Sequence, residues 1–189
     1  MDPNTLAQLY YAYRRPGRYY HTLDHISDCF KELKQALAAG VHVDDEEALR
    51  FAIWFHDYVY ETNPPAANEE LSAEAAYEAA IRLGHSEEFA QKVKRLIIVT
   101  KHDPINHPPM TNDEKLILDI DLATLAVDDF AGNTALVRLE YAHVPDAMFK
   151  PGRRAILAGF LNRPSIYNLD YFKNKYEAKA RTNLIEATT

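Results

Sequence analysis

The stretch DDEEALRFAIWFHD, Asp44 to Asp57, decides the fold class. Its four leading acids suit the positive end of a helix. Leu49, Ala52, Ile53 and His56 then follow at three-four spacing, the stripe of a helix that buries one face. The same period recurs on both sides. From about His21 to Ala39 the set Leu23, Ile26, Phe30, Leu33 and Leu37 keeps it, and Gly40 ends it. After the helix that begins near Asp44–Glu47, Asn-Pro-Pro at 63–65 forces a loop. Asn68 is the expected N-cap of a third helix with Leu71, Ala75, Ala79 and Leu83 on one face, closed by Gly84. Ser86 caps a fourth, carrying Phe89, Val93, Leu96, Ile97 and Thr100, and Pro104 stops it. Thr111 and Glu114 have the capping-box spacing for a fifth, running past Asp121. Segments 128–141, 152–162 and 170–186 complete the set. No convincing alternation, internal repeat or low-complexity tract appears. The expectation is an all-α, single-domain bundle of about seven helices over residues 1–189, with a metal-binding core at about 18–125 and helices at about 128–186 completing it.

Bulk properties narrow the function. A length of 189 residues fits one domain with its own core. The formal net charge of −7 argues against a general binder of nucleic acid or membrane surface, since both want a basic field, yet leaves room for a phosphate in a local positive pocket. The single cysteine, Cys29, excludes an internal disulfide and a thiolate metal cluster, so a metal is expected to rest on histidine and carboxylate. No basic-then-apolar leader and no membrane-length run is visible, and a cytoplasmic protein is expected.

His56 extends the apolar stripe of its helix and therefore points inward, with Asp57 beside it. Burying such a pair needs a partner. A cation satisfies both residues; so does a hydrogen-bonded core histidine with a capping aspartate. His21 and His25 stand one turn apart, suiting two metal ligands, or one ligand and one phosphate donor, or two half-exposed histidines. Asp119 and Asp121 point about 200° apart on a helix. Asp121, with Ile117, Leu118, Thr124 and Leu125 around it, reads as the more buried and as the ligand; Asp119 reads as solvated or as supporting the site from behind.

The quoted segments together carry a resemblance. Arg18-Tyr-Tyr-His21-Thr-Leu-Asp-His25-Ile26, Phe55-His-Asp-Tyr-Val-Tyr60, Asn68-Glu69-Glu70 with Ser72-Ala73, Thr100-Lys-His102, Asp119-Ile-Asp-Leu122, and Glu177 through Asn183-Leu184 occur in that order. Spanning about Tyr10 to Leu184, this set resembles a bacterial group of predicted metal-dependent phosphohydrolases of the HD superfamily. The resemblance implies an HD-type helical fold and a metal on His25, His56, Asp57 and Asp121. That set suits Mn²⁺, Mg²⁺, Fe²⁺, Co²⁺, Ni²⁺ or Zn²⁺. The doubled HD motif of two-metal members is missing, which implies one metal per chain. His56-Asp-Tyr-Val-Tyr-Glu61-Thr62 departs from the HD-x-x-E-D-T stretch of alarmone hydrolases, with Tyr60 in place of Glu and Glu61 in place of Asp.

On this reading the substrate is a nucleotide or another small phosphorylated metabolite. Asp57 and Glu61 serve catalysis, Glu61 by orienting or deprotonating water. Arg18, His21, Lys101 and His102 neutralise phosphate, and Asn68, Glu69 and Asp119 support the ligands or contact substrate. Lys150, Arg153 and Arg154 form a basic patch expected to be solvated. Two other functions fit the same residues: a nucleotide-sensing HD module without catalysis, and an HD-fold di-iron oxygenase recruiting Glu61, Glu69, Glu70, His85 or His102.

Overall fold

Helix α3, Glu46–Phe55, is the hub. The Asp45 side chain caps it, accepting from Ala48 N at 3.0 Å. Ala48, Leu49, Phe51, Ala52, Ile53 and Phe55 are all buried, so the helix is covered nearly all round rather than on one stripe. Its cover is α2 (Leu23–Ala38), α4 (Asn68–Arg82), α5 (Glu87–Ile98) and α6 (Asn112–Leu122). The remaining helices are α1 (Pro3–Ala12), α7 (Phe130–Glu140), α8 (Asp146–Leu161) and α9 (Asp170–Thr188), with short 3₁₀ turns at Val99–Lys101 and Ala123–Ala126. This computed structural model describes residues 1–64 and 66–189; Pro65, the last residue of the expected Asn-Pro-Pro loop, lies outside the described residues. Among those described there are nine α-helices and no strand. One hydrophobic cluster runs from Leu9 of α1 to Leu184 of α9, so the helices share a single core. No helix of the described residues is long and apolar enough to cross a membrane.

Nine helices replace the expected seven or so for local reasons. Helix α1 has no long stripe, but Asp2 caps it through Thr5 N and Pro3 occupies its first turn, where a missing N–H costs nothing. Tyr13 at its end is buried and donates its hydroxyl to Trp54 O at 2.8 Å, tying α1 to α3. Helix α8 starts at Asp146, not 152, and runs through Pro151, which removes one internal hydrogen bond without ending it.

Two expected faces are rotated. On α2 the buried set is His25, Ile26, Cys29, Leu33 and Ala36, which puts His25 inside the core rather than at its edge. On α4 the buried face is Ser72, Ala73, Ala76, Ala79 and Ala80, while Leu71 is 49% exposed. These small side chains allow close packing against α5. Ala67, not Asn68, stands at the N-cap of α4 and gives no side-chain cap. Other local signals act as expected. Ser86 caps α5, Thr111 and Glu114 form their capping box, and Gly40 takes φ +83 to close α2.

Candidate metal centre and its cleft

Three helix ends and one turn bring the site together. Buried positions of α2 supply His25 and Cys29, one turn apart. The end of α3 supplies His56 as C-cap and Asp57 just beyond it. The last turn of α6 supplies Asp121, and the turn after α5 supplies His102. Among the described residues, donor atoms of His25, Cys29, His56 and Asp121 all lie within 4.8 Å of one another; this buried cluster can hold a metal ion.

The spacings support that capacity. His25 Nε2 is 3.2 Å from His56 Nε2 and 3.1 Å from Asp121 Oδ1. Asp57 Oδ2 lies 3.1 Å from His56 Nε2 and 3.5 Å from His25 Nε2, and Asp121 Oδ1 is 3.7 Å from His56 Nε2. Donors about 2.1 Å from a shared ion stand roughly 3.0–3.4 Å apart in octahedral or tetrahedral shells. The ring of His56 is oriented for this role: Nδ1 lies 2.9 Å from Ile53 O, which assigns its proton there and turns Nε2 to the cluster. Cys29 Sγ, 3.7 Å from His25 Nε2, belongs to the same group. The expectation of histidine and carboxylate donors alone overlooked it, although the step from His25 to Cys29 is a plain i, i+4 spacing.

Electrostatics are those of a site built around positive charge. Burial opposes the charge on His56, but the Asp57 and Asp121 carboxylates outweigh burial and raise its pKa well above the ordinary value. For His25 burial is likewise overridden, by Cys29, Tyr20 and Asp121. Burial favours neutral Asp121; hydrogen bonds from His102, His25 and His56 reverse this and hold it well below the usual carboxylate range. Asp57 is also lowered, with burial again overcome by the neighbouring histidines. A divalent ion can take the place of the protons on the two imidazoles.

His102 sits against the outer oxygen of Asp121, Nε2 to Oδ2 at 2.9 Å, while its Nδ1 is buried without a partner. Its backbone is in the left-handed region at φ 55, a strained position held by Asp121 and by Arg163 Nη2 donating to its carbonyl at 2.7 Å. Lys101, next to it, lines the same cleft and pairs with Glu70.

Other expected site residues are placed differently. Helix α2 begins at Leu23, so His21 is not on it. Instead, His21 Nδ1 meets Glu140 Oε2 at 2.7 Å and its ring stacks on Tyr60 with centroids 3.8 Å apart. Arg18 gives its guanidinium to the carbonyls of Asp57 (2.7 Å), Tyr58 (2.7 Å) and His21 (3.2 Å), which makes it a brace of the His-Asp turn rather than a free phosphate contact. Glu61 is not one helical turn past Asp57, because α3 has ended; its Oε1 pairs with Arg15 at 2.7 Å on the surface. Asn68 clamps this segment, accepting from Glu61 N and donating to Glu61 O. Glu69 lines the cleft.

Asp119 and Asp121 do point apart, but the expected order of burial is reversed. Asp119 is fully buried, whereas the Asp121 side chain is 19% exposed because it faces the cleft. Asp119 accepts from Asn168 N, Leu169 N and Asn168 Nδ2, fastening the entry of α9. Burial raises its pKa to about 6 despite those bonds. Glu140 was not anticipated: its Oε1 accepts from the backbone N–H of Tyr19, Tyr20 and His21 at 2.8–2.9 Å. Its only sequence signal is an acid in the last turn of a helix, where the dipole disfavours it.

Two clefts reach the cluster. One, of about 560 Å³, is lined by Asp24, Asp28, Glu32, Asp128 and Asp129 with Lys31 as the opposing cation, a field hostile to phosphate. The other, of about 610 Å³, is lined at its polar end by Asp57, Glu69, Lys101, His102 and Asp121, with Arg153 entering from α8. The second is the less acidic of the two. Comparison with protein-family models, curated proteins and solved structures returns no match.

Proposed function

We propose that this chain is a metal-dependent phosphohydrolase of the HD type, acting on a small phosphorylated substrate with one divalent ion per chain. The observation that carries the reading is the convergence of His25, His56, Asp57 and Asp121, each imidazole 3.1–3.7 Å from both carboxylates, beside a cleft that also holds cationic side chains. His25, His56, Asp57 and Asp121 would hold the ion, and Cys29 would tune which metal is preferred. Such an ion supplies Lewis acidity, lowering the pKa of water and polarising a phosphoryl oxygen.

The chain's own residues do the rest. His102 fixes Asp121 through its outer oxygen. Lys101 brings positive charge to the cleft. Glu69, lining the cleft where Glu61 does not, takes over the role of orienting water. As the water oxygen bonds to phosphorus, the ester P–O bond breaks and the leaving oxygen takes up a proton given up by that water, giving inorganic phosphate and an alcohol. The cleft is too local for a nucleic-acid surface, and a cytoplasmic setting belongs to the same proposal.

The test is metal content and Mn²⁺-dependent phosphate release over a panel of nucleotides and phosphate monoesters, for wild type and His56→Ala/Asp57→Ala. Metal-dependent release that vanishes in the variant supports the reading. Two irons per chain without release would support an oxygenase instead. A metal-free chain that binds nucleotide would support a sensor.

A further inference from the structure

The 610 Å³ cleft has two unlike ends. Beyond the polar end, α8 turns Met148, Phe149, Gly152, Arg153, Ile156 and Phe160 to it, positions that share one helical face. Met148 and Ile156 are 69% and 56% exposed, although they adjoin a buried site. From α7 and the segment after it, Phe130, Val137 and Val144 complete the wall. An apolar surface this open, inside a concavity of ligand size, is the ordinary form of a small-molecule site.

Arg153 stands in that wall. Its Nε is buried and has no hydrogen-bond partner, and no carboxylate of the described residues pairs with it. The contrast with the other half-buried arginines is direct. Arg18 is satisfied by the Asp57 and Tyr58 carbonyls, Arg138 by Asp146, Arg163 by the His102 carbonyl and Arg181 by Glu177. The titratable groups close enough to influence Arg153 are Tyr20, Tyr60 and Tyr141, with no carboxylate among them, and burial lowers its pKa. A half-buried guanidinium without a counter-charge is costly to keep, and its fork matches a phosphate.

We infer that Arg153 binds the anionic group of the substrate while the α7–α8 wall receives an apolar body attached to it, so that the ligand class is an aryl or alkyl phosphate monoester rather than a sugar phosphate. Sugar hydroxyls would meet Val137, Val144, Met148, Phe149 and Ile156 and be left unpaired there. Asn133, the polar side chain that α7 contributes to the cleft lining, already donates to Thr124. The inference rests on the phosphohydrolase reading for the fate of the ligand, but not for its binding.

The test uses probes that cannot be hydrolysed. Titration calorimetry of phenylphosphonate and methylphosphonate on Mn²⁺-loaded wild type, Arg153→Met and Ile156→Gln should give about tenfold tighter binding of the phenyl compound to wild type. Arg153→Met should weaken both probes about tenfold or more. Ile156→Gln should erase the phenyl preference and leave methylphosphonate unchanged. Arg153→Met should also keep or raise the Tm, since it removes an unpaired cation; a structural arginine would do the reverse. Equal affinities for the two probes, or indifference to Arg153→Met, overturn the inference. So does a dimer that Ile156→Gln dissociates while neither probe binds. Binding as expected without turnover of phenyl phosphate sinks the hydrolase reading alone. Turnover of ribose 5-phosphate and phenyl phosphate with equal kcat/KM, indifferent to Arg153, keeps that reading and sinks this one.

Discussion

Replacing Glu140 should unfasten the loop that carries His21 to the cleft, and the size of the effect can be worked from its bonds. One oxygen accepts three consecutive backbone N–H groups, Tyr19, Tyr20 and His21, at 2.8–2.9 Å, and the other meets His21 Nδ1 at 2.7 Å. Glu140→Ala orphans all of them. Each buried donor left unmade costs about 1–3 kcal/mol, and water reaches part of the exposed Tyr19 side, so the sum should be about 3–5 kcal/mol. For a chain of this length that is a Tm fall of roughly 10 °C. Glu140→Gln keeps the oxygen that accepts the three backbone N–H groups but loses the charge and the acceptor at His21 Nδ1, and should cost about 1–2 kcal/mol.

The pH dependence has a definite sign. Burial favours the neutral acid, but hydrogen bonding and the His21 ring lower the folded-state pKa of Glu140 below its ordinary 4.5. The unfolded chain thus binds the proton first as pH falls. The stability gap between wild type and Glu140→Gln should be full above about pH 4.5 and shrink as pH drops through the folded value. Urea unfolding at pH 7, 5, 4 and 3 measures it. A loss under about 1 kcal/mol for Glu140→Ala, or a gap to Glu140→Gln unchanged at pH 3, would refute the reasoning.

Three further outcomes follow from the placement of expected site residues. Arg18→Met should lower stability by about 2–3 kcal/mol, because the Asp57 and Tyr58 carbonyls lose a charged donor; a raised KM with unchanged urea midpoint would instead make Arg18 a phosphate contact. Glu61→Gln should leave kcat/KM for phosphate release within about twofold, since its carboxylate faces Arg15 in solvent and such pairs contribute little; a hundredfold loss would return it to catalysis. Asp119→Ala should cost about 3 kcal/mol and expose the start of α9 to hydrogen exchange, as three donors from Asn168 and Leu169 are orphaned; unchanged protection at Leu169 and Asp170 would count against its role as a fastener.

Much of the helical order was legible because its signals are local. The acids before Leu49, Ser86 and the Thr111/Glu114 pair mark helix starts through bonds spanning three residues, and the structure keeps all of them. The opposite directions of Asp119 and Asp121 also follow from helical rotation alone. Their burial does not, since it depends on the loop at Asn168, far away in the chain. Local competition explains other departures: Thr22 caps α2 and so removes His21 from it, and alanines outdo Leu71 on α4 because close helix packing selects small side chains. The meetings of Glu140 with His21 and of Arg153 with Tyr20 join residues more than a hundred positions apart, which no periodicity encodes. Cys29 was readable by spacing, yet a lone cysteine carries no signal until His25 is known to face inward.

The central claim is that the His25, His56, Asp57 and Asp121 cluster holds a metal. Its most direct test is elemental analysis of wild type, Asp121→Asn and Glu61→Gln after loading with divalent ions and desalting. Asp121 lies 3.1 Å from His25 and 2.9 Å from His102, so its carboxylate joins both sides of the cluster. The account predicts about one equivalent of metal in wild type and Glu61→Gln, and near none in Asp121→Asn. A wild type that retains no metal, or an Asp121→Asn variant that retains as much as wild type, would contradict it.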